Sequence, residues 1–213
     1  TELLKEYHAQ YNKELRNGVG KIYILPPSPN GYIMSTQPDT GNFYFYGSAG
    51  DDLLIAMSKI AKRNAPYTVK DERTLAYLYH EIRHNTVGAY KVSDKFEMYV
   101  CESVHELISL YDYPRFIENI GYKAVFQDKI LSSPGYPTFV GELRKKMYKY
   151  KVREKPFVWR MKQYEDANPV IELKDIADAF IEFGNVNISK TDLVDELLKM
   201  FEDETKKLNG ISI

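Results

Sequence analysis

Asp71-Glu72-Arg73-Thr74-Leu75-Ala76-Tyr77-Leu78-Tyr79-His80-Glu81-Ile82-Arg83-His84 is the stretch on which the reading of this chain turns. Acidic residues at its start suit the positive end of a helix. Leu75, Leu78, Tyr79 and Ile82 then recur at the spacing of a buried helical face. Asn85-Thr86-Val87-Gly88 closes the run, with Gly88 placed for a left-handed C-cap. The pattern predicts a helix over about residues 71–85, with His80 and His84 one turn apart on one face. Two imidazoles so placed can reach a single tetrahedral metal ion. Glu81, on the flank of that face, can hold a water at such an ion without ligating it. Two surface histidines on an amphipathic helix would share the spacing but leave the glutamate unexplained.

Working outward, residues 2–16 read as a short amphipathic helix ending at Gly18, with His8 exposed on it. Lys21–Leu25 reads as a short strand, stopped by Pro26-Pro27-Ser28-Pro29. Tyr32–Thr36 and Asn42–Tyr46 are β-rich, and the turn residues Pro38-Asp39-Thr40-Gly41 between them predict a hairpin. Asp51–Arg63 carries Leu53, Leu54, Met57, Ile60 and Ala61 at helical spacing. From Asp94 to Tyr111, Phe96, Tyr99, Val100, Ser103, Leu107 and Leu110 form one helical stripe that Pro114 is expected to stop. Residues 115–120 are then a separate short helix or turn, and residues 132–141 a loop.

Composition shifts after that loop. Residues 144–162 are strongly basic, with Glu154 the sole opposing charge, and are expected to form a solvated surface. Pairing with the acidic helices that follow, at Ile171–Phe183 and Thr191–Phe201, is the alternative. Ser189 or Thr191 is a candidate N-cap for the second of these. The fold expected is α+β: a small antiparallel sheet near the N-terminus, a helical body carrying the site, and a mostly helical C-terminal region. The expected domains are residues 1–142 and 143–213.

At 213 residues and 44% hydrophobic, the chain has enough apolar surface for one compact domain, or one with a small satellite. A net charge of −1 argues against a general nucleic-acid binder. One cysteine, Cys101, permits no intrachain disulfide and suits a reducing, cytoplasmic compartment; it reads as a small packing residue. No run of apolar residues is long enough to span a membrane, and no signal peptide is evident. The chain begins at Thr1, which leaves processing or a longer parent protein open. Asn187-Ile188-Ser189 matches a glycosylation sequon, but nothing else points to secretion.

A catalytic zinc needs a third protein ligand and an open position. The metzincin pattern requires Gly and His where Val87 and Tyr90 stand, so that class is excluded. The helix from Asp94 offers Glu97, Glu102, His105 and Glu106. Around it, Glu102, Glu106, Tyr99, Ser103 and Leu110 share a sector beside the apolar stripe, so either glutamate can face the motif helix. Glu97 lies on the opposite border and His105 points nearly away from the core. Both read as solvated helix residues.

His80-Glu81-Ile82-Arg83-His84, with Glu102-Ser103-Val104-His105-Glu106 following, resembles the metal-binding helices of zincins, more narrowly of gluzincin-like metallopeptidases. The likeness is confined to about residues 70–114. It departs at Arg83, where the family's middle positions are usually uncharged; on a helix Arg83 points away from the histidine face. The resemblance implies zinc held by His80, His84 and Glu102, with Glu106 as the runner-up or a supporting partner. It implies Glu81 as general base and a protein or peptide substrate. Tyr90 and Tyr99 are candidates to stabilise an oxyanion, and the strands at 32–47 can take an extended peptide by strand addition. A non-enzymatic structural or interaction module on the same scaffold, using tyrosine-rich and charged faces, is the competing expectation.

Overall fold

A computed structural model describes residues 20–29, 31–62, 67–88, 95–208 and 210. The expected helix at 2–16, and with it His8, lies outside the described residues, as does Tyr90. Three strands and eight helices are seen among the described residues: β1 (Ile22–Leu25), β2 (Met34–Gln37), β3 (Asn42–Tyr46), α1 (Ala49–Lys62), α2 (Val69–Val87), α3 (Lys95–Asn119), α4 (Gln127–Leu131), α5 (Pro137–Lys149), α6 (Glu154–Ala167), α7 (Leu173–Phe183) and α8 (Lys190–Leu208). The architecture is α+β, mostly helical with a small sheet. Among the described residues no helix is long and apolar enough to cross a membrane. The fold divides into two compact units, one drawn from residues 1–89 and 112–133, the other from 90–111 and 134–213. The long helix α3 contributes residues to each.

The first unit holds the sheet, in the order β1-β3-β2. The expected hairpin is present, with Met34 opposite Phe45 and Gln37 opposite Asn42. The sheet is mixed, however, and not antiparallel: β1 pairs with β3 in parallel, Ile22 beside Phe43 and Leu25 beside Tyr46. Parallel neighbours cannot be joined by a tight turn, so the chain first forms β2 at the other edge of the sheet and then returns to the centre as β3. Phe43 and Phe45 are buried and alternate with half-buried Tyr44 and Tyr46, the period-2 pattern of a strand with one covered face.

Helix α2 packs on α1 and on β2. Its start is a reciprocal cap. The Thr68 hydroxyl accepts from the Asp71 backbone N–H at 3.3 Å, and the Thr68 N–H donates to Asp71 Oδ2 at 2.7 Å. Burial works to raise the Asp71 pKa, but hydrogen bonds from Lys59 and Thr68 outweigh it and hold the carboxyl below its ordinary value. Next to it, Glu72 is fully buried. Its carboxylate accepts from Tyr113 Oη at 2.7 Å, from the Val125 N–H at 2.8 Å and from the Phe126 N–H at 3.1 Å. One side chain thus satisfies three donors and ties α2 to the end of α3 and the start of α4. Tyr79 adds a 2.6 Å hydrogen bond to Asp112 and an aromatic contact with Phe116.

Pro114 does not stop α3, which runs to Asn119. A proline removes one intrahelical hydrogen bond. Here Tyr113, Phe116 and Ile117 flank it fully buried, and the apolar area that they remove from water outweighs that loss.

In the second unit, residues 95–111 and helices α5–α8 enclose one continuous apolar cluster. Leu107, Phe139, Leu143, Phe157, Phe180, Leu197 and Phe201 lie at its centre. The stretch expected as a loop at 132–141 contains the start of α5, with Pro137 in its first turn, where a missing N–H costs nothing. The basic segment is not simply solvated. Lys146 and Lys149 both reach Glu196 at 2.8 Å, and Arg160 reaches Glu182 at 2.5 Å, so the alternative of pairing with the acidic helices is the one seen. Ser189 caps α8, its hydroxyl accepting from the Asp192 N–H at 3.1 Å. At Gly184 a Cβ would fall 2.7 Å from Val152 Cγ2 and 2.8 Å from the Tyr150 carbonyl oxygen. Only glycine lets the end of α7 approach the α5–α6 turn so closely, where the Asn185 N–H donates to Tyr150 O at 2.7 Å.

Candidate metal centre

His80 and His84 sit near the end of α2, and both are buried, 7% and 8% exposed. Their rings meet edge to face, with Nε2 of one 3.0 Å from Nε2 of the other. A tetrahedral zinc with Zn–N bonds of about 2.0–2.1 Å requires two ligand nitrogens about 3.3 Å apart. The pair therefore fits a shared ion with a shift of a few tenths of an ångström.

The last turn of α2 is held from several sides. The Asn85 amide donates to Thr36 Oγ1 of β2 at 2.6 Å, and the Gly88 N–H closes on the His84 carbonyl at 3.0 Å. Gly88 has φ 98° and ψ 166°, so it ends the helix with a positive φ but not in the left-handed helical conformation expected of it. Glu81 is half-buried beside the histidines. Arg83 is 2% exposed, the largest of the fully buried side chains, so leaving the histidine face does not take it to solvent.

The remaining expected residues lie on the part of α3 that belongs to the second unit. Glu102 is half-buried. Glu106 is buried, and its carboxylate accepts from the Gly135 N–H at 2.5 Å. Glu97 is exposed, as expected. Tyr99 stacks on Phe139 with ring centroids 4.5 Å apart. Cys101 is buried, with its thiol on the Ile171 carbonyl, and burial pushes its pKa up to about 11, which suits a packing residue.

His105 departs from expectation. It is completely buried, and its Nδ1 lies 2.5 Å from Oε1 of Glu165, itself 2% exposed. On the helical wheel of α3, His105 points away from the helix's own apolar stripe. The covering surface comes from α6, whose Glu165 is 60 residues away in sequence. No local signal links the two; only the rarity of a buried carboxylate beside apolar neighbours could have hinted at a partner.

No family model matches this sequence, and no curated protein or solved structure matches it.

Proposed function

We propose that this chain is a zinc-dependent metallopeptidase, with His80 and His84 as metal ligands and Glu81 as general base. The observation that carries the reading is the 3.0 Å approach of the two buried Nε2 atoms, with a glutamate next to the first histidine. The resemblance names Glu102 as the third ligand. A bound zinc supplies a Lewis acid that polarises the scissile carbonyl and brings the pKa of water towards about 7.

The chain's own residues do the rest. His80 and His84, on the buried end of α2, hold their nitrogens within a few tenths of an ångström of the spacing that a shared ion needs. The Glu81 carboxylate takes a proton from the attacking water and passes it to the leaving amine. β2 is an edge strand beside α2, and its outer edge offers backbone groups to an extended peptide.

Metal content by plasma mass spectrometry tests the centre, and cleavage of a peptide library tests the chemistry. About one zinc per chain is expected in wild type and in Glu81→Gln, with loss in His84→Ala. Glu81→Gln should lower turnover ~10²–10⁴-fold. Wild-type protein that takes up no metal after zinc is added back would overturn the proposal and favour a non-enzymatic interaction module.

A further inference from the structure

We infer that two copies of this chain associate through the outer edge of β1, pairing antiparallel across a two-fold axis at Tyr23 and joining their sheets into one. The association is independent of the metal centre proposed above. Three observations support it.

The first is the edge itself. Among the described residues, β1 has a strand neighbour on one side only. The carbonyls of Lys21 and Leu25 accept from the N–H groups of Phe43 and Gly47, so alternate residues of β1 turn their backbone groups towards β3. Ile22 and Ile24 stand between those residues and turn their N–H and C=O groups outwards. Charged side chains or proline on an edge strand normally discourage pairing with another chain. Ile22-Tyr23-Ile24-Leu25 contains neither; Lys21 and Pro26 bound the strand and leave it bare.

The second is the side chains. Ile22 lies beside Phe43 and Ile24 beside Phe45 in the ladder, so both isoleucines point to the covered face of the sheet. Phe43 and Phe45 are 1% and 4% exposed, but Ile22 and Ile24 are 48% and 61% exposed. The cover on that face gives out at β1. Ile24 does reach α1, where a Cβ at Gly50 would fall 2.6 Å from its Cδ1, and Leu54, one turn further along α1, is 69% exposed. Apolar side chains on a core face are thus left in water beside unpaired backbone groups, which marks an interaction surface.

The third decides the occupant. Outward groups at positions 22 and 24, with Tyr23 between them, are their own complement. A two-fold axis at Tyr23 sets Ile22 opposite Ile24 of the second copy, and each such pair exchanges both of its backbone hydrogen bonds. The isoleucines then meet as cross-strand pairs on the core face. All residues of β1 are neutral, so the pairing brings no like charges together. On the other face Tyr23, which stacks on Tyr44 with ring centroids 5.0 Å apart, meets its symmetry mate. β2, at the opposite edge, carries no such surface: Met34 is buried, and Ser35, Thr36 and Gln37 are polar. Two short strands and their flanking side chains bury less than about 1,200 Å², the range of weak and reversible association.

Sedimentation equilibrium of the full chain over a concentration series up to about 1 mM reads the mass, and hydrogen exchange at both ends of the series reads the edge. Wild type should pass from 24.8 kDa towards twice that mass, with the Ile22 and Ile24 amides protected only at the high end. Ile24→Lys should raise the dissociation constant at least about 10-fold. Ile22→Pro removes an outward N–H, spares the ladder to β3, and should do the same. Thermal melts check that each variant folds. Should Ile24→Lys fail to fold because Ile24 packs on Gly50, Ile22→Pro decides alone.

A wild type that stays at 24.8 kDa throughout would overturn the inference, as would a folded Ile22→Pro that dimerises as tightly as wild type. Ile22 and Ile24 amides protected equally at every concentration would assign the edge to a segment of the same chain and overturn it too.

Discussion

The unit that contains the sheet and the unit built from α5–α8 close their interiors with different chemistry. In the first, α2 buries Asp71, Glu72, His80, Arg83, His84 and Asn85 along one helix. Its tightest ties to the rest of the unit are directional: Glu72 to three donors, Tyr79 to Asp112, Asn85 to Thr36. In the second, aromatic and aliphatic side chains form one cluster, and most charges pair at its rim. Among the described residues, its fully buried ionisable pair is His105 with Glu165. Apolar packing tolerates small displacements, whereas a network of buried hydrogen bonds holds atoms at set distances and is costly when half broken. A metal centre needs the second kind of interior. Among the described residues, half of the buried polar side chains lie on the helix that carries the two histidines.

The sharpest way to break the contrast is in the apolar cluster. Phe180 is fully buried and meets Phe157 edge to face at 5.5 Å. Phe180→Ala should cost about 3–5 kcal/mol in denaturant unfolding followed by the fluorescence of Trp159, which stands on α6 of the same unit. A cost under about 1 kcal/mol would mean that this interior adapts freely.

Glu72→Ala is the matching lesion in the sheet unit. It leaves the hydroxyl of Tyr113 and the N–H groups of Val125 and Phe126 without their acceptor. The expected cost is about 2–3 kcal/mol, seen as faster hydrogen exchange over residues 113–130. Exchange unchanged there would show that water replaces the carboxylate and that the network is dispensable. Thr68→Ala, which removes the cap of α2, should cost about 1 kcal/mol by the same measurement, concentrated in the first turn of that helix.

The smallest effect is expected at the rim of the helical unit. Hydrogen bonds from Lys146 first, then Lys149, pull Glu196 from its ordinary 4.5 down to about 2. A carboxylate held down in the folded state contributes its full stabilisation above the unfolded value. That contribution is therefore complete above about pH 4.5 and disappears as the pH falls towards 2. Because Glu196 remains 32% exposed, solvent and salt screen it to less than about 1 kcal/mol. Comparing wild type with Glu196→Gln at pH 6 and pH 3 checks the sign. A difference that grows as the pH falls would contradict the pairing.

Several features were legible in the chain alone because they depend on near neighbours. The hairpin followed from turn residues between two β-rich runs, and α2 from its acidic start and apolar spacing. The one-turn spacing of His80 and His84 is a property of any helix, so their meeting needed no tertiary information. The capping role of Ser189 is local in the same way.

What the tertiary structure alone decided involves partners distant in sequence. The parallel pairing of β1 with β3 depends on the path of the chain around the sheet, not on either strand's residues. The passage of α3 through Pro114 depends on burial of Tyr113, Phe116 and Ile117, which offsets a loss that local propensity counts in full. The burial of His105 depends on α6 arriving over it. Sequence periodicity reports which face of a helix is apolar. It cannot report that a polar face is covered too, because a buried histidine needs a specific carboxylate, and Glu165 becomes its neighbour only when the chain has folded.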